Sequence, residues 1–355
     1  MTYKSNLLSK IKHNKAKIGV IGLGYVGLPL ACSFAKKKFQ VIGFDIDKNK
    51  VKKINSNISY IKHISNLKIK NCSKNLKATN NFESINQVDV IILCLPTPVK
   101  KNLTPDLSYI TSTLKNAKKY FKKGQVLILE SSTYPGSTKQ IILPYLRNFT
   151  VGKNFFLAYS PEREDPNNQK YQIKNIPKIC SGYSKNCLTL SKKLYEKIIE
   201  KVVSVSNLEI AEFTKLYENI YRSVNIGLVN ELKIISNKLN LNIYEIINAA
   251  KTKPFGFQEF YPGPGVGGHC IPVDPYYLSW VAKKNNIKTN LIYHAGKINS
   301  QMPSWIINKT LKENKIKKAL ILGVAYKKNV DDMRESPALD FIKILRKKKI
   351  KVDYH

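Results

Sequence analysis

Three features of the 355-residue chain predict an α/β protein built in three parts. Short apolar runs alternate with helical patterns through the amino-terminal half, as in a parallel sheet covered by helices on both faces. A long amphipathic stretch without proline then takes over. Near the end, a fresh strand–helix–strand pattern opens at Lys318. The expected division is an N-terminal doubly wound domain over 1–206, a central helical domain with a long spine helix over 207–305, and a C-terminal α/β domain from 318 to 355.

Composition narrows the class. Hydrophobic residues make up 43% of the chain, enough for sizeable cores and too many for global disorder. The six cysteines (32, 72, 94, 180, 187 and 270) are scattered without a CxxC pair. That argues against a disulfide framework and a structural zinc site, and for reduced thiols in a cytoplasm. Residues 1–16 are polar and basic and lack a signal-peptide pattern. Residues 18–35 carry no charge and just reach membrane-spanning length, but Gly22, Gly24, Gly27 and Pro29 interrupt them. They divide better into a strand and a helix start, so no membrane association is expected. The formal charge of +36 comes from lysines spread along the whole chain, with arginine scarce and no aromatic-basic stripe. A dedicated nucleic-acid role is therefore not expected, and attraction to a phosphorylated small molecule fits the same charge.

Taken in order, residues 16–47 read as strand, tight turn, helix and strand. "KIGVIG" is β-rich and apolar, "LGYVGLPLACSFAKKK" reads as the next helix, and "GLGYVG" sets Gly22, Gly24 and Gly27 where the two meet. Asp45 closes the second strand, about 20 residues on, as a Rossmann dinucleotide fingerprint requires. The first glycine permits the turn, the second lets a pyrophosphate approach the backbone, and the third allows close helix packing. Asp45 would accept hydrogen bonds from the adenosine ribose, which favours NAD over NADP. Further strands are expected within 88–96, 125–133 and 154–162. One helix is expected from about Asn207 to Leu239, serving as a spine between domains and as a dimer surface. After the Gly/Pro-rich loop at 254–275, "KALILGVAY", "SPALDFIKILRKKK" and "IKVDYH" read as strand, helix and strand. Two parallel strands cannot cover their own faces and edge, so the chain is expected to stop inside its last domain.

Several residues suit chemistry. "EFTKLYEN" places Lys215 and Asn219 at i and i+4 on one helical face, although such a pair alone is ordinarily a solvated stripe. Thr133 in "SSTYPGST" and Glu162 in "SPERED" follow the carboxyl ends of strands, where ligands of open α/β sheets bind. The loop "GPGVGGHCIPVDP" surrounds His269 and Cys270 with glycines and prolines and ends at Asp274. A metal pair there lacks partner ligands at usable spacing, and a protease would need a separate histidine base. A structural cysteine would more often sit in an apolar strand, as Cys94 does. A thiol in this loop could also attack an aldehyde made by hydride transfer, and the metal and structural readings stand beside it.

Together, GLGYVG, SSTYPGST, SPERED, the K-x-x-x-N helix, GGHCIPVDP and GVAYKKNVDDMRESP resemble, in this order, the UDP-glucose/GDP-mannose dehydrogenase family, over residues 16–355. "TKPFGFQEFYPGPGVGGHCIPVDPYYLSW" is most similar to the UDP-N-acetylhexosamine branch, particularly its N-acetylglucosamine 6-dehydrogenases. His269 and Val273 stand where UDP-glucose enzymes carry Ser and Lys, while Asn167 replaces a glycine usual in the branch.

The resemblance implies oxidation of a primary alcohol to a carboxylate with two NAD+ and no release of aldehyde. It implies Cys270 as nucleophile, Lys215 and Asn219 at the reacting oxygen, Asp274 and Thr133 on water, and Glu162 as base for thioester hydrolysis. It extends the cofactor contacts to Tyr25, Val26, Thr97, Thr133 and Arg334. Substrate contacts would be Glu162, Arg163, Lys215, Asn219, Phe260, Tyr261, Gly263, Gly267 and Lys327. It further implies a UDP-binding C-terminal domain, a homodimer and surface-polysaccharide synthesis. A UDP-N-acetylmannosamine or UDP-N-acetylgalactosamine enzyme, or an inactive NAD-binding protein, stands beside this expectation.

Overall fold

The computed structural model describes residues 2–62, 64–164, 168, 171–268, 271–327 and 332–355. Two compact units emerge: residues 1–100 with 105–215, and residues 101–104 with 216–355.

The first unit begins with α1 (Tyr3–Lys12), β1 (Ile18–Ile21), α2 (Gly27–Lys36), β2 (Val41–Phe44), α3 (Lys48–Asn55), α4 (Asn66–Lys70), β3 (Leu76–Thr79) and β4 (Val90–Leu93). It continues through α5 (Ser108–Ala117), β5 (Val126–Leu129), α6 (Ser137–Ile142), β6 (Phe156–Tyr159), β7 (Lys178–Gly182), α7 (Lys185–Tyr195) and β8 (Val202–Ser204). The sheet order is β3-β2-β1-β4-β5-β6-β7-β8. Every pairing is parallel except β6 with β7.

Strands β1, β4, β5 and β6 are buried along their whole length, because helices cover both faces. The period of two sorts their side chains between two cores. Val126 and Ile128 point into one with Leu30 and Phe34 of α2 and Leu190 of α7. Leu127 and Leu129 point into the other with Ile110 and Leu114 of α5 and Ile142 of α6.

The structure departs from expectation at three places. Residues 3–12, expected only to be polar and basic, form α1: Thr2 caps it by accepting from the Ser5 N–H at 3.2 Å, and it buries Leu7 and Ile11. β3, β7 and β8 carry too few apolar residues to announce themselves as strands, and the antiparallel β7 breaks an otherwise parallel sheet. The helix expected from within the glycine turn starts only at Gly27.

A 31-residue helix, α8 (Leu208–Lys238), carries the chain from the first unit into the second. The second unit adds α9 (Ile243–Ala250), α10 (Asp274–Lys284), α11 (Asn290–Glu313), β9 (Lys318–Ile321), α12 (Pro337–Lys347) and β10 (Lys351–Tyr354). β9 and β10 pair in parallel. Ile307 of α11, Leu345 of α12 and Ile350 form a small core beside them. Within this unit α8 and α11 cross closely at Gly227, where a Cβ would lie 3.1 Å from Ala295. Among the described residues, no helix is long and apolar enough to cross a membrane.

Candidate active site

The parallel strands deliver their carboxyl ends to one edge of the sheet, and the residues singled out in the first unit follow them there. Gly22 follows β1, Asp45 follows β2, Thr97 follows β4, Thr133 follows β5, and Glu162 with Arg163 follows β6. The order reverses between β1 and β4, which lie side by side at the crevice where such folds bind ligands.

The glycine turn is sterically determined at two of its three glycines. Gly22 has φ +92°, and a Cβ on it would lie 2.4 Å from the Cys94 carbonyl oxygen. A Cβ on Gly27 would lie 1.8 Å from the Gly22 carbonyl oxygen. At Gly24 a Cβ would meet nothing within 4 Å, so this backbone faces open space just before the N-terminus of α2. Val26 is the N-cap of α2 and lacks a capping side-chain bond. Pinned flanks, an open middle and a helix N-terminus together fit a pyrophosphate.

Asp45 is 8% exposed and accepts from the Leu23 N–H at 3.0 Å and the Asp47 N–H at 3.0 Å. It thereby ties the glycine turn to the end of β2, with Lys50 Nζ at 3.5 Å. The Tyr60 hydroxyl donates to the Leu23 carbonyl and closes the turn from the other side. Tyr25 is half-buried against the α2 core, and Thr97 is buried. Thr133 is fully buried, and its Oγ1 finds no hydrogen-bond partner among the described residues.

Glu162 is engaged on both oxygens. Oε1 accepts the N–H groups of Arg163 at 2.6 Å and Glu164 at 2.7 Å, while Oε2 lies 3.1 Å from Lys178 Nζ. Arg163 Nη1 donates to the Pro177 carbonyl at 2.6 Å. Lys178 escaped the sequence analysis. In a lysine-rich chain its "IPKIC" context reads as a strand's solvated end, and only the tertiary fold buries it.

Helix α8 mixes polar and apolar residues on both faces: Leu208, Ala211, Leu216, Ile220 and Val229 are buried. Glu212, Lys215, Asn219, Ser223 and Asn230 are buried, whereas Phe213, Tyr217, Tyr221, Leu228, Leu232 and Ile235 are exposed. In the first unit, Glu212 accepts from the Gly136 N–H at 2.5 Å and the Thr138 N–H at 2.7 Å and so caps α6. Lys215 is 9% exposed. One turn later, in the second unit, Asn219 Nδ2 donates to Asp274 Oδ2 at 2.5 Å. Asp274 opens α10 and is 2% exposed.

The loop before α10 is anchored to the same helix. The Gly263 N–H donates to Asn230 Oδ1 at 3.0 Å, and Asn230 Nδ2 donates to Asn299 Oδ1 at 2.9 Å. Pro303 inside α11 removes the helical donor to the Asn299 carbonyl, and Gly265 (φ +118°) packs there: a Cβ would lie 2.8 Å away. Gly267 and Gly268 press against Tyr326, and the Gly268 N–H donates to the Arg334 carbonyl at 3.3 Å. Phe260 packs on the Val229, Ile243 and Ile247 cluster, and Tyr261 is 47% exposed. Arg334 pairs with Asp332 at 2.5 Å, and Lys327 sits half-buried in the turn after β9. His269, Cys270 and Asn167 lie outside the described residues.

The glycines separate stability from binding. Gly27→Ala is expected to lower Tm by several degrees, from roughly 1–3 kcal/mol of overpacking. Gly24→Val is expected to leave Tm nearly unchanged and weaken dinucleotide binding at least about tenfold, one lost factor of 1.4 kcal/mol. Differential scanning calorimetry and titration calorimetry read the two effects; a stable Gly27→Ala or a fully binding Gly24→Val contradicts the assignment.

Family models match along the chain. The NAD binding domain of the UDP-glucose/GDP-mannose dehydrogenase family matches residues 16–199, its central domain 209–301, and its UDP binding domain 320–355. Among curated relatives, the UDP-N-acetyl-D-glucosamine 6-dehydrogenase of Pseudomonas aeruginosa is 34% identical over 95% of this chain and 82% of its own length. The UDP-N-acetyl-D-mannosamine dehydrogenase of Pyrococcus horikoshii is 36% identical over 93% of this chain and 81% of its own. The solved structure of UDP-D-ManNAc dehydrogenase from Pyrococcus horikoshii superposes with a TM-score of 0.89 at 34% identity, covering 95% of this chain and 82% of that one. With its glycine cradle, its acid after β2 and these matches along most of its length, the chain belongs to the UDP-glucose/GDP-mannose dehydrogenase family and is an NAD-dependent nucleotide-sugar oxidoreductase.

Proposed function

We propose that the chain oxidises the C6 hydroxymethyl group of a UDP-N-acetylhexosamine to the uronate, with UDP-N-acetylglucosamine as the preferred substrate. The observation that carries this is the buried hydrogen bond from Asn219 on the spine helix to Asp274 at the start of α10, the aspartate of the sequence HCIPVDP. Bound NAD+ supplies the hydride acceptor for both oxidations. Gly22, Gly24, Tyr25, Val26, Gly27, Asp45, Thr97, Thr133 and Arg334 would hold it.

Each catalytic side chain has a definite task. Cys270 adds through sulfur to the C6 aldehyde, and the oxidised adduct is a thioester. Lys215 stabilises negative charge developing on the C6 oxygen, and Asn219 donates to the same oxygen. Asp274 and Thr133 orient water, and Glu162 removes its proton during thioester hydrolysis. Arg163, Phe260, Tyr261, Gly263, Gly267 and Lys327 complete the sugar-nucleotide contacts. Free thiols at Cys32, Cys72, Cys94, Cys180 and Cys187 support a cytoplasmic setting.

UDP-N-acetylmannosamine is the second reading, favoured by the Pyrococcus horikoshii relative and its structure. Parallel kinetics on the two UDP-sugars and UDP-N-acetylgalactosamine decides. The proposal expects the highest kcat/KM with UDP-N-acetylglucosamine, and no turnover of any of them sinks it. Cys270→Ala is expected to retain NAD binding and lose net acid formation by roughly 10³-fold or more.

A homodimer accompanies this proposal. Tyr217, Tyr221, Leu228, Leu232 and Ile235 recur at helical spacing and leave an apolar stripe on α8 exposed. A second copy of the same helix would cover it. Light scattering is expected to find a dimer that Leu228→Asp with Leu232→Asp converts to monomer; a monomeric parent chain refutes it.

A further inference from the structure

Glu162 is held by a buried cation that the chemistry proposed above leaves without a task. Lys178 opens β7 and is 4% exposed. Its Nζ lies 3.2 Å from Glu130 Oε2 and 3.1 Å from Glu162 Oε2. It also donates to the Pro161 carbonyl at 3.4 Å and stands 5.0 Å from the Tyr195 ring centroid. Glu130, just past β5, receives the Tyr195 hydroxyl on its other oxygen. One cation therefore serves two carboxylates. The Glu130 side chain is 0% exposed, while that of Glu162 is 17% exposed. Glu162 thus forms the solvent edge of this network and lines a small pocket with Arg163, Ile176 and Pro177.

We propose that Lys178 is a positioning residue, which keeps Glu162 ionised and oriented to take a proton from water during thioester hydrolysis. This rests on the role given to Glu162 above. In that step the water oxygen bonds to the thioester carbonyl carbon and Glu162 takes one water proton. The C–S bond then breaks, Cys270 leaves as thiolate, and the new acid loses its remaining proton to solvent.

The surrounding charges agree with the geometry. Burial pushes the Glu162 carboxyl up, but the charge and hydrogen bond of Lys178, with the Arg163 and Glu164 N–H groups, outweigh it and hold it below the usual value. Burial lowers the Lys178 ammonium, yet Glu130 and Glu162 outweigh that and leave it firmly protonated. Burial drives Glu130 the other way, up to about 7 despite Lys178. Glu164, beside Lys68, is pushed up to about 8 by burial and then by Glu162. The Cys94 thiol and Tyr195 phenol are raised by burial and contribute no charge near neutrality. Arg163 is aimed at the Pro177 carbonyl. Removing Lys178 leaves only the Arg163 and Glu164 N–H groups against burial, so the Glu162 carboxyl is expected to rise.

Two measurements on the full chain test this. In carboxyl NMR with carbon-13 glutamate, the Glu162 signal (assigned by Glu162→Gln) is expected to titrate below the ordinary range. In Lys178→Met it is expected to move up by more than about one pH unit, the scale of an adjacent opposite charge, and Lys178→Arg should restore it. Should Lys178→Met fail to fold, the paired Lys178→Gln, Glu130→Gln chain, which removes the cation and its second carboxylate together, reads the same shift. In turnover, Lys178→Met is expected to lose roughly tenfold or more in kcat, with its acid limb displaced to higher pH and the first NADH burst retained. An unmoved Glu162 titration overturns the proposal. A parent chain that reduces no NAD+ with UDP-sugars instead overturns the role given to Glu162, and the NMR result still decides what Lys178 does.

Discussion

The turn between β1 and α2 leaves no room for a side chain at its last glycine. With the Gly22 carbonyl 1.8 Å from where a Gly27 Cβ would stand, strand and helix lock at one angle. Gly22 is in turn pressed against the Cys94 carbonyl after β4, 2.4 Å from where its Cβ would stand, which joins β1 to its neighbour across the switch point. The position of α2's N-terminus, the open backbone at Gly24 and the crevice at the sheet's carboxyl edge all follow from that fit. Dinucleotide binding is thus a by-product of how closely the backbone can approach itself.

The second organising element is α8, which buries a row of polar groups beside Leu216, Ile220 and Val229 and leaves an apolar stripe exposed. Burying Glu212, Asn219 and Asn230 is tolerable because each is satisfied: by the N-terminus of α6, by Asp274, and by Gly263 with Asn299. A polar face satisfied in this way is rigid, which suits the role proposed for Asn219 at the reacting oxygen. One helix therefore fixes the acid that opens α10 and the glycine-rich loop leading to it.

Much of the architecture was legible because strong local signals agreed with one another. GLGYVG lay in register with a strand, a helix and Asp45, and the long proline-free stretch became α8 within a residue at each end. Weaker signals failed for physical reasons. α1 has only Leu7 and Ile11 to bury, too few to stand out in a lysine-rich segment. β7 opens with a charged residue and pairs antiparallel, against the pattern of its neighbours. Lys178 was illegible for a related reason: its partners lie 48 and 16 residues away, and nothing local marks a lysine as destined for the interior. The choice of sugar epimer is similarly hidden, since it depends on contacts to the orientation of one ring substituent, the C2 acetamido group or the C4 hydroxyl, rather than on any spacing in the chain.

The central claim is that one thiol couples two oxidations on a single bound sugar. Counting NADH against uronate formed, with an aldehyde-trapping hydroxylamine present, tests it most directly. The account predicts two NADH per UDP-sugar consumed and no trapped aldehyde. One NADH per sugar, with the C6 aldehyde recovered as its oxime, would contradict it.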